Sequence, residues 1–258
     1  METSRRNFLK AGGACLLGLT IWPAVKGFAG NSTEYITSSK ALSGEKWGLV
    51  IDMKKCWPKY QEGCRKCFLA CQRAHNIPDI ANKEEEIKWI WTEPYENAFP
   101  EQEHEYIAAS IKGKPFIVLC NHCENPPCVR VCPTKATFKR RDGIVMMDYH
   151  RCIGCRYCMA ACPYGARSFN FSDPRPFIKE VNPEFPTREK GVVEKCNFCA
   201  ERIDTGLPPA CVEACPAGAL VFGDLDDPNS EVRKILASRY TIQRKPELGT
   251  HPCIYYLV

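Results

Sequence analysis

Cys152-Ile153-Gly154-Cys155-Arg156-Tyr157-Cys158-Met159-Ala160-Ala161-Cys162-Pro163 decides the fold of this chain. Two-residue gaps between the first three cysteines, a three-residue gap to the fourth and a closing proline give the C-x2-C-x2-C-x3-C-P run that holds cubane iron–sulfur clusters. A tight loop brings three thiolates to three irons of one cube and turns backbone N–H groups toward the anionic sulfides. The fourth cysteine begins the next turn, faces the other way and serves a neighbouring cluster. The proline fixes the turn that leaves the site. Such a run needs a partner run.

Three partners are present. Cysteine makes up 18 of 258 residues, and sixteen fall into four groups: Cys56, Cys64, Cys67, Cys71; Cys120, Cys123, Cys128, Cys132; Cys152, Cys155, Cys158, Cys162; and Cys196, Cys199, Cys211, Cys215. Every group ends in Cys-x-x-x-Cys, and the third has the spacing of bacterial ferredoxins. Cys-Pro-x-x-Ala recurs at Cys132–Ala136, Cys162–Ala166 and Cys215–Ala219. The first group departs from the repeat. Gln72 follows Cys71, and the segment Trp57 to Gly63 separates Cys56 from Cys64, which makes Cys56 the weakest ligand candidate. Sixteen cysteines predict four [4Fe–4S] clusters.

Other readings of so many cysteines fit less well. Paired C-x2-C elements also build zinc ribbons, and a structural zinc or disulfide-rich adaptor is the alternative from another class. A four-cysteine zinc site does not require the full ferredoxin run. No C-x-x-C-H occurs, which excludes c-type haem attachment. His122 lies between Cys120 and Cys123, as a replacement ligand, a hydrogen-bond donor to the site or an exposed side chain. His75, His104, His150 and His251 form no spaced ligand set, and Cys253 reads as a buried free thiol. The formal charge of +5 counts every cysteine as neutral. Sixteen thiolates around four cores add about −8, so the loaded chain is acidic and the formal charge implies no nucleic-acid binding. No nucleophile–base set or nucleotide loop is visible, so the chain is expected to be non-catalytic.

The pattern around the motifs predicts an α+β fold. Strands are expected over 46–53, 114–119, 143–148 and 191–195, each leading into one cysteine group. Strand, cluster loop and short helix is the rhythm of a ferredoxin module. Groups two and three are close in sequence and form an inner module, 115–180; groups one and four pair around it as an outer module, 45–75 with 190–225. Two ferredoxin-like 2[4Fe–4S] modules are thus interleaved in one domain, 31–258. Between groups one and two lies an insertion, 76–112, with Glu84-Glu85-Glu86, Trp89, Trp91, Tyr95, Phe99 and Tyr106. It either caps its own domain or faces a partner. A Pro-rich crossover covers 175–190. Lys139-Arg140-Arg141 is expected on a solvated hairpin. Residues 226–258 read as a polar tail with a helix over 230–238, ending in Ile254-Tyr255-Tyr256-Leu257.

The first thirty residues stand apart. Ser4-Arg5-Arg6-Asn7-Phe8-Leu9-Lys10 before a short apolar run, Ala11 to Val25, is a twin-arginine export signal. With its glycines and Pro23 the run is shorter than the about 20 apolar residues of a membrane span. Cleavage after Gly27-Phe28-Ala29 and retention as an anchor both remain open. This route exports folded proteins, so clusters are inserted in the cytoplasm and the cysteines need not form disulfides outside it. The expected location is the periplasmic or extracytoplasmic face of the cytoplasmic membrane. Cys15, in this segment, has no lipobox before it.

The four-motif order, together with Val193-Glu194-Lys195-Cys196-Asn197-Phe198-Cys199 and Cys211-Val212-Glu213-Ala214-Cys215-Pro216, resembles the four-cluster ferredoxin subunits of membrane-bound respiratory oxidoreductases. That family includes the iron–sulfur subunits of dimethyl sulfoxide, polysulfide and tetrathionate reductases. Within it, the export signal, the long Cys56–Cys64 gap, Lys88-Trp89-Ile90-Trp91 and Phe99-Pro100-Glu101-Gln102 look most like the DsrO-type subunits of DsrMKJOP complexes in sulfur metabolism. The resemblance implies an electron-transfer role and four ligand sets. Cys56, Cys64 and Cys67 share a cluster with Cys215; Cys120, Cys123 and Cys128 with Cys162; Cys152, Cys155 and Cys158 with Cys132; and Cys196, Cys199 and Cys211 with Cys71. It also implies an integral-membrane, quinone-interacting partner of NrfD/DsrP type and a multihaem cytochrome c of DsrJ type. The alternative within the class is a molybdopterin oxidoreductase partner.

Overall fold

In the computed structural model, which describes residues 38–258, the first cysteine group is entered from β1 (Trp47–Asp52), all six residues of which are buried. An unbroken apolar stretch of this kind suits a strand covered on both faces. It lies between β8 (Leu220–Asp224), antiparallel to it, and β10 (Ile254–Leu257), parallel to it; β9 (Thr241–Ile242) pairs with the far edge of β10. The polar tail expected over 226–258 is therefore corrected in part. Its last strand inserts into the sheet because Ile254, Tyr256 and Leu257 bury their side chains there.

Three two-stranded pairs complete the sheet structure: β2 (Ile90–Pro94) with β3 (Pro115–Leu119), β4 (Thr137–Lys139) with β5 (Val145–Met147), and β6 (Ser168–Phe169) with β7 (Val193–Glu194). A rule connects them. The strand leaving each cysteine group pairs with the strand entering the next, and β8, which leaves the fourth group, pairs with β1, which enters the first. The four groups thus follow one another around a closed series of strand pairs. Helices supply a second set of links. The first group carries α1 (Met53–Gln61) and α2 (Lys66–Ala74). The insertion adds α3 (Tyr95–Ala98), and the second group carries α4 (Pro127–Arg130). The third group carries α5 (Tyr157–Ala160), and the fourth α6 (Ala200–Ile203) and α7 (Ala210–Glu213). α2 packs on α7 and α4 on α5.

Local chemistry accounts for the main boundaries. Asp52 ends β1 and caps α1, its carboxylate accepting from Lys55 N–H at 3.2 Å. Ser230 caps α8 (Glu231–Ser238) by accepting from Arg233 N–H, also at 3.2 Å. The insertion divides. Trp89, Tyr95 and Phe99 are buried, and Phe99 packs against Phe116 and Tyr256 at 5.1 and 5.2 Å. Tyr106 beyond them is 83% exposed. The expected solvated hairpin needs correction at Arg140, whose guanidinium makes a two-pronged contact with Asp204 at 2.9 and 2.7 Å and also binds Asp142. The twin-arginine stretch and Cys15 lie outside the described residues.

Candidate metal centres

Three of the four loops are shaped by a residue in left-handed conformation at the same place. His122, Gly154 and Phe198 all precede the second cysteine of a C-x2-C pair, with φ of 42°, 69° and 61°. Gly154 has no alternative, since a Cβ there would stand 2.4 Å from Gly191 O. A second left-handed position recurs three residues after the last cysteine, at Lys135, Gly165 and Gly218. That turn points amides back at sulfur: Thr137 N–H reaches Cys132 Sγ at 3.5 Å and Ala219 N–H reaches Cys215 Sγ at 3.3 Å. Within the fourth loop, Phe198 N–H faces Cys196 Sγ and Ala210 N–H faces Cys199 Sγ, both at 3.4 Å. Amide donors of this kind stabilise thiolates and the anionic clusters they hold.

The sixteen cysteines gather across motif boundaries. Cys56, Cys64, Cys67 and Cys215 line one hollow, and Cys132, Cys152, Cys155 and Cys158 another. Cys123 lies with Cys120, Cys128 and Cys162. Cys71 lies with Cys196, Cys199 and Cys211. The long gap after Cys56 has a simple origin: Cys56 sits inside α1, and the helix continues to Gln61 before Gly63, at φ +88°, turns the chain back to Cys64. Burial first, and then repulsion from Cys215 and Cys64, pushes the Cys56 thiol up to about 11. Burial and the neighbouring thiols push Cys67 and Cys196 up to about 12, and raise Cys71 and Cys199 strongly. Burial also raises Cys120, but the Lys195 charge and His122 outweigh it and hold that thiol well below its ordinary value. Metal–thiolate bonds remove the burial penalty and release the protons.

The quartets, counted by the motif that supplies three of their members, are neighbours in a line. Cys158 of the third faces Cys128 of the second. Cys120 of the second faces Cys196 of the fourth. Cys211 of the fourth faces Cys67 of the first. The two ends of this line are more open than its middle, where Cys162 alone is half-buried. Cys155 is exposed and Cys132, Cys152, Cys56, Cys64 and Cys215 are half-buried, whereas all four members of the fourth quartet are buried.

Buried donors left without a protein acceptor lie beside the quartets. His122 Nε2 and Arg167 Nη2 have none. His122 is close to Cys120, and Arg167 lies against Cys128. Cluster sulfides and thiolates are the acceptors such groups need, so the residues present fit iron–sulfur clusters. His122 is thus fully buried, its Nδ1 accepting from Val145 N–H at 3.1 Å. His75, which belongs to no spaced set in sequence, comes within 4.8 Å of Cys199 and Glu201, with Nε2 at 2.8 Å from Glu201 Oε1. Its ring stacks on Trp89 at 4.7 Å.

Comparison with known proteins gives the same assignment. Residues 114–174 and 181–225 match the 4Fe-4S dicluster domain. The chain is 42% identical to iron-sulfur subunit 1 of the Hdr-like menaquinol oxidoreductase of Archaeoglobus fulgidus, over 98% of this chain and 97% of that one. It is 40% identical to the iron-sulfur cluster-binding subunit of Nitratidesulfovibrio vulgaris menaquinone reductase, over 82% of this chain and 88% of the other. A tetrathionate reductase subunit of Salmonella typhimurium is 33% identical over all of this chain and 89% of its own. The chain belongs to this family of iron–sulfur subunits. As a member it carries [4Fe–4S] clusters and transfers electrons within an oxidoreductase complex, without being the catalytic subunit. Among the described residues, no helix is long and apolar enough to cross a membrane.

Proposed function

We propose that this iron–sulfur subunit is a wire of four [4Fe–4S] clusters, held by the quartets Cys56/Cys64/Cys67/Cys215, Cys120/Cys123/Cys128/Cys162, Cys152/Cys155/Cys158/Cys132 and Cys196/Cys199/Cys211/Cys71. The observation that carries the reading is the linear succession of quartets, third to second to fourth to first, with exposure greatest at its two ends and only Cys162 half-buried between them. Electrons enter at one end and leave at the other, and the buried middle excludes water and stray oxidants. Two interleaved modules, 115–180 and 45–75 with 190–225, accommodate the exchange of fourth cysteines.

The surroundings suggest different partners for the ends. Around the third quartet, Ile153 and Tyr157 are 67% and 64% exposed, and Phe171 is exposed as well. This apolar face suits an integral-membrane, quinone-interacting subunit of NrfD/DsrP type. Near the first quartet, Lys54, Lys55, Lys59 and Lys66 are exposed, a face suited to an acidic redox protein such as a multihaem cytochrome c of DsrJ type. Near full-length similarity to a menaquinol oxidoreductase subunit supports the DsrO-type assignment. The Arg5-Arg6 signal supports export to the extracytoplasmic face, with clusters already loaded.

Iron analysis of the purified chain is expected to give about 16 Fe; a value near 12 removes one quartet, and a colourless, iron-free protein sinks the reading. Copurifying c-type haem supports the DsrO-type complex. Similarity to a tetrathionate reductase subunit favours a second reading, a molybdopterin oxidoreductase, which copurifying molybdenum would establish instead. Replacing Arg5 and Arg6 by lysine is expected to trap loaded protein in the cytoplasm, and unchanged export would refute the twin-arginine route.

A further inference from the structure

Two buried cations beside the second quartet have no carboxylate partner among the described residues. Lys195 is fully buried. Its Nζ donates to Cys196 O at 2.6 Å and to Val145 O. Val145 also donates its N–H to His122 Nδ1, and the His122 ring stacks on Phe198 at 4.5 Å. The ammonium therefore occupies the seam between the loop that carries Cys120 and the loop that carries Cys196. Arg167 is 5% exposed. Its Nη1 donates to Thr137 Oγ1 at 3.2 Å, and its Nη2 has no protein acceptor. It stands between Cys128 of the second quartet and Cys158 of the third.

Burying a charge without an answering charge is costly. Arg188, another deeply buried guanidinium, is answered by Glu194 at 2.7 Å. Lys195 and Arg167 are answered by the quartets. The fourth quartet also meets an opposite charge, since a carboxylate oxygen of Glu201 lies within 4.8 Å of Cys199 Sγ. A fixed positive charge favours the reduced, more negative form of a cluster, and net local charge is one of the factors that set cluster potentials.

We infer that Lys195 and Arg167 are fixed counter-charges that bracket the second quartet, and that having both gives its cluster a higher reduction potential than that of the fourth, which meets only Lys195 of the two and has Glu201 beside it. Each cluster gains or loses one electron, passed from its neighbour in the line, with no bond made or broken. The second cluster is then the interior resting place of the electron, and the fourth is the step that must be climbed to reach the first. Both residues act through the clusters and are positioning residues. The inference rests on the four-cluster reading.

The test uses the loaded full-length chain, with an iron count and an EPR-monitored redox titration on the same samples. Cys155→Ser, Cys64→Ser and Cys162→Ser, at exposed or half-buried ligands, identify the signals of the third, first and second clusters, and the remaining signal is that of the fourth. Lys195→Met is expected to shift the one-electron reduction equilibria of the second and fourth clusters at least tenfold toward oxidised, about 59 mV each, and to leave the first and third in place. Arg167→Met is expected to do the same to the second and third. Lys195→Arg is expected to restore the wild-type values. No shift of the second cluster in either methionine variant, an equal shift of all four, or a Lys195→Arg shift as large as that of Lys195→Met overturns the inference. Where a methionine variant does not accumulate folded, the wild type decides: a second-cluster midpoint above the fourth supports the inference, and one below it overturns it. Wild-type iron well under about 16 defeats the four-cluster reading itself, a failure the count shows independently of any potential.

Discussion

The third and fourth quartets are built from the same motif logic and live in opposite surroundings. In the third, Gly154 shapes the loop, Cys155 is exposed, and the small core beneath it consists largely of Ala136, Val145, Met147 and Val193. In the fourth, Phe198 takes the same left-handed turn despite its side chain, every cysteine is buried, and the ring stacks on His122. A non-glycine residue at positive φ costs on the order of 1 kcal/mol, and buried aromatic contact offsets it. The third quartet lies at an exposed end of the line, over a small core of its own. The buried quartet ties α2, which carries Cys71, to the loops around α6 and α7. Substitutions should therefore have global effects in the fourth quartet and local ones in the third.

The largest expected effect is the difference between two serine substitutions. Cys196→Ser leaves a hydroxyl in place of a buried thiol that, in the proposed wire, binds iron beside β7, α6 and the His122 seam. Its cost should approach the whole folding free energy, on the order of 5–15 kcal/mol, and the variant should not accumulate as soluble, iron-loaded protein. Cys155→Ser should fold, keep the colour of the remaining clusters and lose at most about four of roughly 16 iron atoms. Equal solubility and equal iron loss in the two variants would erase the distinction between middle and end.

Next in size is the buried ion pair beside the fourth quartet. Glu194 accepts from Arg188 at 2.7 Å, Trp89 Nε1 at 3.0 Å and Asn170 Nδ2 at 2.7 Å. Arg188 also donates to the carbonyls of His75 and Asn76. Arg188→Met strands a buried carboxylate and removes three carbonyl contacts, to His75, Asn76 and Pro186, which should cost about 3–5 kcal/mol. The check is the denaturant midpoint of the loaded chain, with an unchanged midpoint refuting the role assigned to the pair.

Much of this is legible in the sequence because the motif constrains its own neighbourhood. The Cys152–Pro163 run specifies its loop, the fate of its fourth cysteine and the short helix between Cys155 and Cys162, and four such groups imply four quartets. Cys56 is harder to read. Its spacing looks anomalous until α1 is seen to carry both Cys56 and the intervening residues to Gln61. The strand pairing of β8 with β1, and the insertion of β10 beside them, rest on contacts between residues some 170 to 200 positions apart, which local periodicity does not encode. Lys195 and Arg167 carry no signal at all. A lone basic residue beside a motif ordinarily lies in solvent, and only the three-dimensional arrangement shows that both are buried without carboxylates.

Gly154→Ala tests the exposed end more finely. It forces an L side chain into φ +69° and drives a Cβ toward Gly191 O. The cost should be about 1–3 kcal/mol, confined to the third loop. The expected signature is weakening of the third cluster's EPR signal with the other three retained; a collapse of all four would mean that this loop is as central to the fold as the fourth.

The smallest effect contrasts a surface pair with the buried one. Lys46, just before β1, meets Glu124, just after Cys123, at 2.6 Å, with their side chains 27% and 46% exposed. The hydrogen bond and charge of Lys46 hold the Glu124 carboxyl below its ordinary value. A carboxyl whose folded-state pKa is depressed contributes stability above its unfolded pKa, and that contribution disappears as pH falls through the folded value. Solvent screening limits the pair to under about 1 kcal/mol. Glu124→Gln should therefore lower stability slightly at neutral pH, the difference from wild type shrinking as pH falls through the acidic range and as salt rises. Arg188→Met should keep most of its larger cost at high salt, because water and ions do not reach Glu194. If the two variants responded to salt alike, burial would not be what separates them.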